Sequence, residues 1–144
     1  MIGLFIYRLR IKLLKLWQEV TEYEVQFYKQ LGVTLSIYNN HIDQIALDEN
    51  MDVIRKIKKY RKSKIRKLIL RERQDVFSAL QVLHDHIEDR EKIINKPLIE
   101  NFDYLQKVRR TYNTKVLLYN QTISVFPTRY LALKMGLELK EYFG

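Results

Sequence analysis

Apolar side chains return every three or four residues along three long stretches of this chain, the spacing that places them on one face of an α-helix. The first stretch runs from about Leu4 to Leu47, the second from Met51 to Asn95, and the third opens at Pro97. Gly32 is the weak point of the first, because an interior glycine costs about 1 kcal/mol relative to alanine. That stretch is therefore one bent helix or two. Asp48, Glu49 and Asn50 form a polar break, and Asn50 or Asp52 is placed to cap the helix that follows. The similar lengths of the first two stretches favour an antiparallel hairpin turning at 48–50, with arms of about 65 Å if unbroken. Pro97 suits a first helical turn, where a missing N–H costs nothing. Pro127 ends the third helix near Val125 or Phe126, and a short helix from about Arg129 to Met135 stops at Gly136. The pattern predicts an all-α fold in a single domain, residues 1–144. It is an elongated antiparallel bundle of three long helices, four if the first breaks near Gly32, plus a short C-terminal helix.

The third helix has the clearest seam: Phe102, Leu105, Arg109, Tyr112, Val116, Tyr119, Ile123 and Phe126. Its alternating steps of three and four are those of a coiled coil. Arg109 breaks the apolar series, and a buried guanidinium without a partner is very costly. It must meet a carboxylate, a carbonyl or a chain end. The hydroxyls of Tyr112 and Tyr119 also need partners if buried. Asn113 and Asn120 follow those tyrosines seven residues apart, and the same step leads to Phe126-Pro127. The main expectation is that the tyrosines pack while the asparagines bond adjacent helices or backbone carbonyls. A ligand-binding row of Tyr and Asn is the alternative.

These residues carry a resemblance. Arg109-Arg110-Thr111-Tyr112-Asn113, Val116, Tyr119-Asn120, Ile123, Phe126-Pro127, Leu131-Ala132, Met135-Gly136-Leu137 and Tyr142-Phe143 together resemble the C-terminal signature of the LemA family. The likeness covers about 44 residues, Asn101 to Gly144. Upstream, Glu24-Val25-Gln26-Phe27 faintly echoes an Asp-Val-Gln-Leu segment of that family, whose following Pro-Asn-Leu step is replaced by Leu35-Ser36-Ile37. The resemblance implies a long antiparallel helical bundle, often tied to a bacterial membrane by an N-terminal spanning helix. It implies no catalytic residue. The N-terminus here departs from that anchor, since Arg8, Arg10, Lys12 and Lys15 interrupt every apolar run.

Composition changes the picture in three ways. Four Gly and two Pro among 144 residues, with 47% apolar and 30% charged, favour long helices over turn-rich sheets. The absence of cysteine excludes disulfides, thiolate catalysis and Cys-based metal sites. The net charge of +9 is concentrated: eleven Lys or Arg against Glu72 between Arg55 and Arg73 leave a balance of −1 elsewhere. That concentration points to an anionic partner.

On a helical wheel over Met51 to Arg73, Ile54, Ile57, Ile65 and Leu68 lie opposite Arg55, Lys58, Lys59, Lys62 and Arg66. The cations form either a solvated face or an anion-binding surface. Residues 1–20 pattern as an amphipathic interfacial segment, with Ile2, Leu9, Leu13, Leu16, Trp17 and Val20 opposite Arg8, Lys12 and Lys15. The apolar face, with Leu9, Leu13, Leu16 and Trp17, lies on a membrane or packs into the bundle.

Phosphate loops, dinucleotide fingerprints and nucleophile elbows are all missing. His84 and His86 point in different directions on a helix, and His41 is alone. Glu19, Glu22, Asp43 and Glu49 suggest no acid–base pair. The expectation is a noncatalytic, peripheral membrane-associated scaffold or interaction protein without cofactor or metal, whose partners are an anionic membrane surface or other proteins. The alternative is a small basic subunit of a larger assembly, held by protein contacts or structural RNA. Sequence-specific DNA binding is not expected, since no base-reading module accompanies the charges.

Overall fold

A computed structural model describes residues 2–45, 51–90 and 96–144. Its elements are α1 (Ile2–Asn40), α2 (Ile42–Ile45), α3 (Met51–Tyr60), a 3₁₀ turn (Ile65–Lys67), α4 (Leu70–Arg90), α5 (Lys96–Ser124) and α6 (Thr128–Lys134). The fold is all-α, with no strand among the described residues.

Gly32 does not break α1. A Cβ there would sit 3.4 Å from Ile65 Cγ1, so the missing side chain makes a seat for the buried Ile65. The helix ends instead at Asn40, where His41 turns the chain. Its backbone N–H bonds the Tyr38 carbonyl, and its ring Nδ1 lies 2.9 Å from the Ile37 carbonyl.

The single helix expected over Met51 to Asn95 is two. α3 buries Ile54, Ile57 and Tyr60, but its apolar stripe next arrives at Arg61, within Arg61-Lys62-Ser63-Lys64. Neighbouring like charges oppose helix, and nothing apolar is left to bury. The chain leaves the helix and places Ile65 inward from a 3₁₀ turn. Arg73 braces this bend, donating from Nε to the Ile65 carbonyl at 2.9 Å and from a terminal nitrogen to the Arg66 carbonyl at 3.0 Å. Asp52 lies inside the first turn of α3, 3.8 Å from Arg55, rather than at its cap. The turn at 48–50 and the proposed Asn50 cap fall outside the described residues.

α5 begins at Lys96 with Pro97 in its first turn, as the sequence predicts, and stops at Ser124. The peptide before Pro127 is cis. Phe126 leaves the seam that the periodicity extends to it, and it is 78% exposed. α6 closes at Gly136, whose φ of 70° suits glycine. Leu137 N–H reaches the Ala132 carbonyl and Gly136 N–H that of Leu133, the paired bonds of a Schellman ending.

The chain forms two compact units: Met1–Gln26 with Arg109–Gly144, and Phe27–Val108. Helices α1 and α5 contribute to both. Within each they run antiparallel: Glu24 meets Tyr112 and Glu19 meets Lys115 in the first unit. In the second, Gln30 meets Asn101 and Tyr38 meets the Leu98 carbonyl.

The Phe27–Val108 unit has an aromatic and aliphatic core. Phe77 lies 5.5 Å from Phe102 and 6.5 Å from Phe27 between ring centroids, in a core that also buries Leu31, Leu35, Leu80 and Leu83. Its polar inclusions are held in place. Tyr38, fully buried, donates to the Leu98 carbonyl at 3.0 Å; burial, with the Asp103 and Asp85 charges, pushes its phenol well above the ordinary value. His84 is buried too, stacked on Phe102, with Nδ1 3.1 Å from Asp85 and Nε2 3.1 Å from Asp103.

Candidate functional site

The strongest polar constellation is the Tyr–Asn row of α5 in the first unit. A helix presents residues i and i+7 on nearly the same azimuth, two turns apart. Tyr112-Asn113 and Tyr119-Asn120 therefore form one repeated device facing the non-helical segment 137–144. Asn113 accepts the Phe143 N–H at 2.9 Å and donates to its carbonyl at 2.8 Å. Asn120 does the same to Lys140, at 2.9 Å in both directions. Each carboxamide, carrying a donor and an acceptor side by side, pairs with one residue's main chain as a neighbouring strand would.

The tyrosines complete the ladder. Tyr119 donates to the Glu138 carbonyl at 2.8 Å. The Tyr112 hydroxyl lies 3.0 Å from the Glu141 carbonyl and 3.1 Å from Glu24 Oε2, sharing its one proton between them. Lys140 reaches the same Glu24 oxygen at 3.4 Å. Both rings are buried, and burial followed by the Glu138 charge raises the Tyr119 phenol above its ordinary value.

The register has a simple metric. Seven residues along α5 correspond to three along the segment, in both the tyrosine set and the asparagine set. Seven helical residues rise about 10.5 Å, and three extended residues span about 10 Å. The heptad repeat thus matches an extended chain read at every third residue.

Arg109 joins this end. It donates to the Phe143 carbonyl at 3.3 Å, so the core-facing guanidinium meets a carbonyl, one of the partners its position demanded. Burial, and secondarily Arg110, lowers its affinity for a proton. Gly144 has a φ of 97°, and a Cβ there would lie 2.5 Å from the same guanidinium. Phe143 is buried, whereas Leu139 and Tyr142 are exposed. The row therefore satisfies backbone groups of its own chain. Glu24 and the main chain of 138–143 are members of this cluster that sequence reasoning does not reach. The signal available is the Tyr–Asn heptad itself, followed after Gly136 by eight residues with no helical pattern of their own.

The N-terminal stripe divides. Leu13 is buried, as is Val20, and Leu9 and Leu16 are half-buried, so this face packs within its unit and Leu13 is not open to a membrane. Trp17 keeps 39% exposure. The side chains left uncovered include Ile2, Leu4, Phe5, Ile6, Tyr7 and Ile11, and nothing from Ile2 to Lys12 is buried. No described helix is long and apolar enough to cross a membrane.

The basic concentration is exposed but is not one helical face. Arg55, Lys58 and Lys59 stand on α3, Lys62 in the turn after it, and Arg66 in the 3₁₀ turn. Ten of the eleven cations from Arg55 to Arg73 are exposed; Arg73, bound to carbonyls, stacks on Tyr28 with its guanidinium 4.1 Å from the ring centroid.

His84 is held inside rather than at the surface, and no group of three or more potential ligands occurs among the described residues. A groove of about 690 Å³ beside α6 is lined largely by apolar groups, including Ile123, Ala132, Leu133 and Leu139, together with Arg129 and Glu138. No family model matches the chain, and no curated protein or solved structure matches it.

Proposed function

We propose that this chain is a noncatalytic, peripheral membrane-associated scaffold of the LemA type that binds anionic bilayer surfaces. The observation that carries the reading is the uncovered start of α1. From Ile2 to Trp17 it holds Arg8, Arg10, Lys12 and Lys15 and no acid, while Phe5, Ile6, Tyr7 and Ile11 stand exposed. Apolar side chains with adjacent cations match the acyl boundary and anionic head groups of an interface. The exposed cations from Arg55 to Arg71 supply a second, purely electrostatic attraction. The LemA part of the reading rests on the sequence resemblance carried by Arg109, Tyr112, Asn113, Tyr119 and Asn120.

Flotation with phosphatidylcholine vesicles, with and without phosphatidylglycerol, tests the reading. Binding is expected only with the anionic lipid and weaker at physiological than at low salt, because exposed charges are screened. Failure to float with anionic vesicles at both salt levels refutes it. Recovery from cells in a soluble RNA-containing assembly would instead favour the structural-subunit alternative.

A further inference from the structure

We infer that the turn joining α5 to α6 is a second, preformed membrane-insertion element, with Phe126 at its tip and Tyr130 beside it. The inference rests on the bilayer reading proposed above and extends it to residues distant in sequence from the N-terminus. Phe126 is 78% exposed, Tyr130 65% and Val125 57%. Their outward position is built in. The Thr128 hydroxyl bonds the Val125 carbonyl at 2.8 Å and also lies against the Thr122 carbonyl. Arg129 N–H bonds the Val125 carbonyl at 2.8 Å, and Tyr130 N–H bonds that of Pro127 at 3.2 Å. The Phe126 and Tyr130 rings meet edge to face, centroids 5.8 Å apart. This backbone is braced from inside while its largest apolar groups face out.

Charge identifies the occupant. Residues 117–137 contain Arg129 and Lys134 and no acid, and the next residue, the exposed Glu138, lies away from the Phe126 groove, in the groove beside α6 that Arg129 also lines. Lys12 of α1 lines the same groove, of about 370 Å³, as Val125 and Phe126. The turn and the cationic start of α1 therefore border one surface within a single unit. Exposed aromatic groups with cations beside them are the complement of an acyl layer beneath anionic head groups. The aromatic pair enters the acyl boundary, and Lys12 and Arg129 remain at head-group level with their alkyl stems along the apolar surface.

The test compares the full chain with Phe126→Ser/Tyr130→Ser on vesicles with and without phosphatidylglycerol. Both side chains are exposed, so an unchanged circular-dichroism melt is expected. Affinity for the anionic vesicles should fall about tenfold or more, from the lost apolar transfer of two aromatic groups. A Trp17→Phe/Phe126→Trp chain gives a second readout: with its single indole in the turn, its emission should shift blue on binding and be quenched by brominated acyl chains. Wild-type binding with an unchanged double-serine variant and an unshifted indole emission overturns the inference and leaves the α1 reading standing. Absence of wild-type binding overturns both. Concentration-dependent self-association abolished by the double-serine variant, without vesicle binding, assigns the patch to a second copy and also overturns it.

Discussion

The two units use the same two helices and bury them by different chemistry. In the Phe27–Val108 unit, α1 and α5 meet over hydrocarbon and aromatic rings, with Phe102 and Leu105 filling the seam. In the unit formed by Met1–Gln26 and Arg109–Gly144, the same seam carries Tyr112 and Tyr119, with Arg109 and two asparagines beside them. A continuous apolar period thus does not imply a uniform interior. Where each tyrosine of the seam is followed by a carboxamide, the helix holds the non-helical segment 138–143 as well as another rod. The aromatic unit depends on area removed from water and on shape. The clasp depends on completing hydrogen bonds that would cost energy if left open.

That contrast can be broken most directly in the aromatic core. Phe102→Ala should destabilise by about 3–5 kcal/mol through lost transfer energy and a cavity. Urea unfolding followed by circular dichroism checks it; a loss below about 1 kcal/mol, the level of an ordinary surface or single-bond change, would mean the Phe77–Phe102–Phe27 cluster is not the core described.

The clasp should fail more locally. Asn113→Ala and Asn120→Ala each open a main-chain pair and should each cost about 1–3 kcal/mol. Hydrogen exchange should show faster exchange at Phe143 in the first variant and at Lys140 in the second, with Leu80 and Leu83 little changed. Equal loss of protection at all these amides would show that the units do not differ as argued.

A smaller effect comes from one hydroxyl. Tyr119→Phe should cost about 1 kcal/mol at neutral pH, since it leaves the Glu138 carbonyl without that donor. It should also flatten the alkaline limb of stability. The folded phenol is raised above the ordinary 10.0. Its contribution is therefore complete below that pH and is lost as pH climbs through the folded value. An unaltered alkaline slope in the Phe variant would remove Tyr119 as its source.

The smallest expected change is a gain. Gly32→Ala should stabilise α1 by about 0.5–1 kcal/mol, because helix propensity improves while the new methyl group just touches Ile65. Gly32→Leu should reverse the sign by displacing Ile65. Thermal melts of the two variants, read against each other, show whether the seat is as narrow as the 3.4 Å separation indicates.

Periodicity and terminal signals in the sequence determine that this protein is helical, that α5 opens at Pro97, that α6 closes at Gly136, and that Arg109 and the Tyr–Asn pairs need polar partners. Those properties are local: they follow from rise per residue, missing N–H groups, glycine at positive φ and the cost of unpaired buried polarity. The partners themselves were not legible, because the Phe143 and Lys140 backbones lie 30 and 20 residues from their asparagines. Nor was the division of the basic segment at Arg61, the use of Gly32 as a seat, or which face of the α1 start would turn inward. A helical wheel places side chains around an axis but contains no neighbour. Only the packed chain decides that Leu13 is enclosed, that Phe126 faces out, and that an extended segment fills the groove opposite the Tyr–Asn row.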